Sequence, residues 1–425
     1  MAWDTTEMPT PTCSAAASAC AAARADGAYK AYLLDDEPIS FPDEAPDTTR
    51  MTITAIDMDP TERCNLRCSY CFKGKLAGRQ MSLETAKQAV RFLARYSGQT
   101  EDLHVSLMGG EPMLSFELLE QWVPWAFTYC EQRGKVLSIG ATTNGTVFDQ
   151  ARHDFCRRWH IGLHLSIDGC PAVQDRERVF KNGRGSSSRL EANLPRIFSA
   201  WRTIHARSSI VPETLPQLSE SYRYFCEKGF LKVALALVAG CNWGDPQVLA
   251  TLASEYGKVL AYHWQHMKTH GRYFVLTSLD HFVRSSQAKA PQTTICGAAR
   301  GMLHVDADGL LWPCHRFNGK RPHKNLILGS VWGGFDNALR NGFLRINPKQ
   351  DMRQSCKDCE ANLVCATPCV AANWQEQGDL FDVGDGYCEA VRTLYRLHQA
   401  HAERMEYQEP DLWKQYVGWV FNYEW

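Results

Sequence analysis

Arg63-Cys64-Asn65-Leu66-Arg67-Cys68-Ser69-Tyr70-Cys71-Phe72 is the stretch on which the reading of this chain turns. Its three cysteines are spaced x3 and x2, directly after a β-rich run from Met51 to Met58 and before a polar loop. Thiolates are soft ligands, and a cubane iron–sulfur cluster normally takes four of them. Three close-set cysteines therefore suggest a cluster with one iron left open to a ligand from a substrate or cofactor. Cysteine fills 17 of 425 positions, so this spacing arises by chance in roughly 3 per cent of such chains. A zinc site with three cysteines and a distant fourth ligand is the alternative.

The bulk composition narrows the setting. Apolar residues make up 44% of the chain, enough for one large domain or two ordinary ones. A formal net charge of -1 gives no global basic field to recruit nucleic acid or an anionic membrane. No apolar run reaches the ~20 residues of a membrane span. The opening MAWDTTEMPT lacks the basic and apolar regions of a signal peptide. The cysteines thus read as metal or redox ligands in a reducing cytoplasm, not as disulfides. Residues 1–50 are Ala-rich around Cys13 to Ala23 and Pro- and Asp-rich from Asp35 to Asp47, which suits an extended or flexible N-terminal extension.

From Met51 the pattern alternates strand and helix. Strands are expected at Met51–Met58, Leu103–Met108, Val136–Thr142, Gly162–Ile167, Ala206–Val211 and Leu231–Val238. Helices are expected at Ser82–Tyr96, Phe116–Arg133, Phe148–Trp159 and Leu215–Lys228. Six β–α units in about 190 residues argue for a parallel sheet wound as a full or partial barrel, with function at the C-terminal strand ends. Cys64, Cys68 and Cys71 follow the first strand, Gly109, Gly110 and Glu111 the second, and Asn144 the third. Ser166 and Asp168 alternate onto one face at the end of the fourth, where an acidic side chain suits ribose hydroxyls.

These residues resemble a radical S-adenosylmethionine enzyme over about 51–240. The resemblance implies an α/β fold, a partial (β/α)6 barrel similar to a TIM barrel. It also implies a [4Fe–4S] cluster on Cys64, Cys68 and Cys71 whose open iron is chelated by S-adenosylmethionine. Under it, Gly109, Gly110 and Glu111 bind the methionine amino group and Phe72 lies near adenine. Ser166 and Asp168 then reach the cofactor, with Asn144 at the same rim. Gln174-Asp175-x2-Arg178 followed by Gly183-x-Gly185-Ser186 is similar to the peptide- and protein-modifying branch, in which Arg178 contacts the cofactor carboxylate. Gln174 stands where that branch carries a histidine.

A helical bridge at 241–290 leads to a second cysteine system: Cys296, Cys314, then Cys356-x2-Cys359-x5-Cys365-x3-Cys369, and Cys388. Zinc ribbons prefer two CX2C pairs, and one occurs here. The region 291–390 resembles the SPASM extension of radical enzymes. By that resemblance Cys296, Cys314 and Cys369 bind one auxiliary cluster, and Cys356, Cys359, Cys365 and Cys388 a second. Met302 stands where sulfatase maturases place a further cysteine, so the first auxiliary cluster is either open or closed by a remote ligand. Residues 391–425 read as a helical tail with an aromatic stripe.

Sulfatase maturases carry a catalytic Asp directly after the second SPASM cysteine; here the run is Cys314-His315-Arg316-Phe317, similar to ribosomal-peptide maturases. His315 is accordingly the candidate general base, with a packed or capping histidine as the plainer reading. The resemblance implies three [4Fe–4S] clusters, reductive cleavage of S-adenosylmethionine to a 5′-deoxyadenosyl radical, and hydrogen abstraction from a precursor peptide. The expected product is a carbon–carbon, ether or thioether crosslink, formed by net two-electron oxidation. Formylglycine formation in a sulfatase is the second enzymatic reading, and a non-catalytic electron carrier a third. Expected partners are the precursor peptide, an electron donor such as flavodoxin or ferredoxin, and a separate leader-binding protein or the bridge itself, since residues 1–50 do not read as a winged helix.

Overall fold

A computed structural model describes residues 52–74, 78–201, 203–287, 296–346, 354–365 and 369–422. The N-terminal extension, Met51, Tyr423 and Trp425 lie outside these residues. The first half alternates β1 (Ala55–Met58), α1 (Leu83–Tyr96), β2 (Asp102–Leu107), α2 (Phe116–Glu131), β3 (Val136–Thr143) and α3 (Gln150–Arg158). It continues with β4 (Gly162–Ser166), α4 (Pro171–Glu177), α5 (Ser187–Ala200), β5 (His205–Ile210), α6 (Leu218–Glu227) and β6 (Lys232–Leu237). Then come α7 (Pro246–His270), β7 (Val275–Leu276) and α8 (Thr277–Ser286). Four short strands follow: β8 (Met302–Val305), β9 (Leu310–Trp312), β10 (Gly329–Ser330) and β11 (Gly334–Phe335). The chain ends in helices α9 (Asn337–Arg345), α10 (Gln354–Lys357), α11 (Val370–Gln377), α12 (Asp385–Gln408) and α13 (Pro410–Asn422). No described helix is long and apolar enough to cross a membrane.

The described residues group into two compact units. One takes the described residues of Met1–Arg63, Lys73–Ile139 and Gly297–Ile346; the other takes Cys64–Phe72, Gly140–Cys296 and those of Asn347–Trp425. In the first unit β1 pairs in parallel with both β2 and β8. From β8 the sheet turns antiparallel through β9, β10 and β11. In the second, the end of β3, β4, β5, β6 and β7 form an all-parallel run in chain order. The α/β alternation expected from sequence is thus present, and strand β1 is shorter than expected. Its ladders to β2 and β8 run from Ala55 to Met58.

Local chemistry accounts for the element ends. Ser82 caps α1 by accepting from the Thr85 amide at 3.0 Å, and Ala86, Ala89, Val90 and Leu93 then face the core at helical spacing. Asp245 accepts from the Gln247 amide, Pro246 takes the first turn of α7, and left-handed Gly271 closes it. Helices α4 and α5 were not expected between β4 and β5. Pro195 inside α5 argues against a helix at sequence level. Even so, Leu190, Leu194 and Ile197 recur at i, i+4 and i+7, and all three are buried.

Candidate active site

In the second unit the cysteine loop 64–72 is fastened along its length. The Arg67 amide donates to the Val179 carbonyl at 2.7 Å and the Lys181 amide to the Asn65 carbonyl at 3.2 Å. Ser69 Oγ donates to Glu177. Asn144, just past β3, donates from Nδ2 to Asn65 Oδ1 at 3.0 Å and approaches Cys64 Sγ at 4.0 Å. Cys64, Cys68 and Cys71 are all half-buried, and Phe72 ends the loop half-buried too.

Tyr70 is the hub that sequence reasoning missed. Its hydroxyl donates to Asp168 Oδ2 and accepts from Arg178 Nη1, the latter at 2.6 Å. Asp168 Oδ1 accepts from the Ser209 amide at 3.0 Å, so both carboxylate oxygens are engaged within the protein. Burial pushes the Asp168 carboxyl up, against the opposing pull of Arg178. Burial likewise raises the Cys68 thiol, with Arg178 again acting the other way. Arg178 Nε is sealed from solvent without a hydrogen-bond partner among the described residues. An orphaned guanidinium donor beside Cys68 is the kind of feature an anionic ligand satisfies. Gln174 takes up the role of a bracket: Oε1 accepts from the Asp168 amide and Nε2 donates to Ser186 Oγ, each at 3.0 Å. Ser166 sits half-buried on β4.

The first unit carries the glycine turn and a buried charge network. The Gly110 and Glu111 amides donate to the carbonyls of Thr61 and Arg63, both at 2.9 Å. A Cβ on Gly110 would stand 2.2 Å from the Arg63 oxygen, and left-handed Gly109 (φ +94°) would meet the Thr61 oxygen at 2.4 Å. The glycines therefore let this turn lie directly against the segment that leads into Cys64. Glu111 Oε1 also accepts from the Met113 amide. Asp57 and Asp59 alternate onto one face of β1. Asp59 binds Lys73 Nζ at 2.5 Å and His304 Nε2 at 3.4 Å. Asp57 Oδ2 lies 2.6 Å from His315 Nδ1. Burial would raise both carboxyls, but Lys73 and His304 hold Asp59 well below the usual range, as His315 holds Asp57. With Asp57 ionised, Nδ1 of His315 is the protonated ring atom and Nε2 carries the lone pair. Neither Asp57 nor Asp59 was singled out in sequence.

Of the second cysteine system, Cys314 is buried in the first unit, and Cys296 and Cys369 belong to the second. Cys356, Cys359, Cys365 and Cys388 all lie in the second unit, half-buried. Asn362 Nδ2 donates to the Cys356 carbonyl at 2.6 Å. Arg392, one turn beyond Cys388 on α12, hydrogen-bonds to Glu389 and Cys359. Cys365 also lines a cavity of about 330 Å³ with Leu235, His281, Tyr387 and His398. Cys130, Cys156, Cys170 and Cys226 are buried as small apolar residues, and Cys241 is half-buried. Among the described residues no three Cys, His, Asp or Glu side chains close around a point as ligands of a single metal ion do.

Residues 58–205 match the family model described as the Radical SAM superfamily. An uncharacterised protein of Methanocaldococcus jannaschii is 27% identical over 42% of this chain, and the match spans 60% of that protein. A serine-type anaerobic sulfatase-maturating enzyme of Klebsiella aerogenes is 22% identical, covering 72% of this chain and 77% of its own. Among solved structures, anSMEcpe with bound AdoMet superposes with a TM-score of 0.71 at 16% identity, over 87% of this chain and 99% of that one. Streptococcus suis SuiB bound to precursor peptide SuiA gives 0.53 at 14%, over 79% and 76%.

Proposed function

We propose, on the premise that residues 58–205 of this chain are a radical SAM domain, that the protein is a radical enzyme that oxidises a peptide side chain and installs a crosslink in a ribosomally made precursor. Support for the peptide comes from the neighbours, since SuiB is described with a precursor peptide and the Klebsiella relative as a maturase of a protein. The observation that carries the reading is the loop 64–72. Its three half-buried thiols are held by Asn65, Ser69 and Tyr70, next to an orphaned Arg178 donor. That donor set fits a [4Fe–4S] cluster on Cys64, Cys68 and Cys71, with S-adenosylmethionine at its open iron. Once bound, the pair supplies a carbon-centred radical able to remove a hydrogen atom from an unactivated substrate carbon.

The chain's own residues then have defined tasks. Arg178 faces the cofactor carboxylate, and Tyr70 fixes Arg178 against Asp168. Gly109, Gly110 and Glu111 form the cradle for the cofactor's amino group. Asp57 orients His315 so that Nε2 accepts the substrate proton released on oxidation. Cys356, Cys359, Cys365 and Cys388 would hold one auxiliary cluster, and Cys296, Cys314 and Cys369 another, and such clusters would supply a path for the second electron.

Formylglycine formation is the competing reading. It is supported by the sulfatase-maturating relative and the anSMEcpe likeness, and a His315–Asp57 pair could serve that oxidation as well as an Asp. Co-expression with short peptides encoded beside the gene, followed by tandem mass spectrometry, separates the two. Loss of two hydrogens with linked fragment ions is the expected result. An aldehyde captured by a hydrazide on a sulfatase-derived peptide would establish formylglycine instead. S-adenosylmethionine left uncleaved under reducing conditions would remove both readings.

A further inference from the structure

The cysteine loop has an outer side as well as an inner one. Residues 65–69 pair with 177–181 as a short antiparallel ribbon. In it Leu66 bridges Phe180, and the Arg67 and Ser69 amides donate to the Val179 and Glu177 carbonyls at 2.7 and 3.0 Å. Side chains opposite each other in such a ribbon share a side, and sides alternate along it. Leu66 and Cys68 therefore turn inward with Phe180 and Arg178, and Arg178 acts on the Cys68 thiol. Asn65 and Arg67 turn outward with Lys181 and Val179, and Arg67 and Lys181 are exposed. The chain reverses beyond Lys181, where the Gly183 amide donates to the Phe180 carbonyl at 2.8 Å. Asn182 Oδ1 accepts from the Arg184 amide at 3.1 Å, which sets exposed Arg184 at the tip. Arg189, near the start of α5, donates from Nε to the Thr146 carbonyl at 3.1 Å, and Thr146 Oγ1 accepts from Asn65 at 2.8 Å. A fourth exposed cation thus borders the same side.

These cations are not answered locally. Arg67, Lys181, Arg184 and Arg189 enter no ion pair among the described residues. The nearby carboxylates are engaged within the fold. Asp168 holds Tyr70 and the Ser209 amide, Asp175 holds the Ser187 amide and hydroxyl, and buried Glu177 holds Ser69 and Arg176. Asp149, beyond Thr146, is paired with Arg152, and Glu191 with Lys228 and the Tyr224 hydroxyl. The positive charge is local, because the chain as a whole carries -1. None of the large apolar side chains exposed among the described residues, Val136, Trp332, Leu363, Tyr407 and Phe421, belongs to this face. A cationic surface without an apolar anchor suits a brief, electrostatically steered encounter and not a permanent complex.

We propose that this outer side, Arg67 with Lys181, Arg184 and Arg189, is the docking surface for an acidic one-electron carrier protein that reduces the cluster on Cys64, Cys68 and Cys71. The proposal rests on the radical reading above, which needs an electron from outside the chain. In the step itself the carrier loses one electron and the cluster gains it, with no bond made or broken and no proton moved. Position favours a carrier over an acidic peptide. A peptide must bring a carbon atom to the inner side, where Arg178 faces the cofactor, whereas an electron crosses the ribbon. Arg67 and Cys68 are neighbours on its two sides, with Cα atoms about 3.8 Å apart. A carrier seated on Arg67 is thus separated from the thiols by one thickness of backbone. The remainder of a chain of net charge -1 offers such a carrier no attraction, so this face also fixes the orientation of the encounter.

The test uses the reconstituted full-length protein with flavodoxin as the acidic probe, in two anaerobic readouts. Binding is followed by biolayer interferometry, and electron transfer by stopped-flow bleaching of the cluster with reduced flavodoxin. Lys181→Glu combined with Arg184→Glu should weaken binding and slow bleaching at least about tenfold at low salt. The difference from wild type should shrink to within about twofold at about 0.5 M salt, where such fields are screened. Bleaching by dithionite, a small reductant that needs no docking surface, should be unchanged. Arg158→Glu combined with Lys414→Glu makes the same change in net charge on exposed helix residues elsewhere in this unit, and should behave as wild type. An equal loss in that control reduces the effect to net charge and overturns the proposal. So does an unaltered flavodoxin rate in the first variant, or a wild type that binds no flavodoxin. A rate that falls with dithionite as well as with flavodoxin marks a disturbed loop and overturns it too. If flavodoxin treats both proteins alike and a blocked peptide of six glutamates binds the wild type alone, the face takes an acidic peptide, and the proposal fails. Binding is read without turnover or peptide, so docking can fail while dithionite still reduces the cluster, and the cluster can be absent while the docking result stands.

Discussion

Tyr70 shows what a single residue does here that a motif does not reveal. The cysteine spacing stands out in the sequence because ligand chemistry demands it, and Asp168 and Arg178 stand out because they fall at a strand end and in a recognisable run. The hydroxyl that ties them together does not, since its partners lie 98 and 108 residues away in sequence. Tyr70→Phe leaves a buried carboxylate and a buried guanidinium each short of one partner. Chemical denaturation should show a loss of roughly 1–3 kcal/mol. An unchanged midpoint would mean that Asp168 and Arg178 close directly on each other across their present 3.9 Å. Gly110→Ala tests the turn that lies against Glu62 and Arg63. Its new methyl would meet backbone oxygens at 2.2 and 2.6 Å, so the turn must move. S-adenosylmethionine affinity should fall at least tenfold with the fold retained by circular dichroism.

At the scale of elements, the strands of the β–α repeat were read to within a few residues, and the two helices that follow β4 were not. The run Gln174-Asp175-x2-Arg178 with Gly183-x-Gly185-Ser186 resembled the peptide- and protein-modifying branch of radical enzymes. In the structure it is also the fastening of α5. Asp175 accepts from the Ser187 amide at 2.7 Å and from its hydroxyl at 2.6 Å, and a Cβ on Gly185 would stand 2.2 Å from that carboxyl carbon. Periodicity alone could not show this, because Pro195 and the preceding glycines mask the helix. Asp175→Ala should cost about 1–2 kcal/mol, the usual size of a lost helix-start acceptor. Arg178 should then lose order together with the segment, which would show as weaker S-adenosylmethionine binding. A stability loss without any change in binding would confine Asp175 to capping.

For the molecule as a whole, the tandem order of the strands was legible because each β–α unit repeats one pattern, and each compact unit gathers segments distant in sequence. The helical layer of the second unit makes its own prediction. His263, His398 and His401 are held down at about 3, 3 and 4 by burial. The unfolded chain binds protons at these rings near pH 6.5 and the folded chain does not, so their contribution is complete above that pH and is lost as pH falls toward 4. Asp280, raised to about 6, acts in the opposite sense and is outnumbered. Each histidine shift is worth about 3–5 kcal/mol at most. Melting temperature should drop steeply between pH 6.5 and 4.5, and His401→Gln should flatten the slope. A flat profile in the wild type would show these rings to be solvated.

The fastening of the cysteine loop to residues 168–181 has a consequence for the order of biosynthesis. Cys64, Cys68 and Cys71 leave the ribosome about a hundred residues before Asp168, Glu177 and Arg178, the groups that fix them. During that interval the thiols belong to an unshaped segment, equally open to oxygen, zinc and wrong pairing. A scaffold that delivers iron and sulfide to the nascent chain would meet no defined geometry, whereas one that waits for the fourth strand and its helix meets a finished socket. On the proposed reading of these thiols as cluster ligands, loading would be a late, post-translational event, and slowing synthesis between residues 71 and 181 should lower the yield of metallated protein.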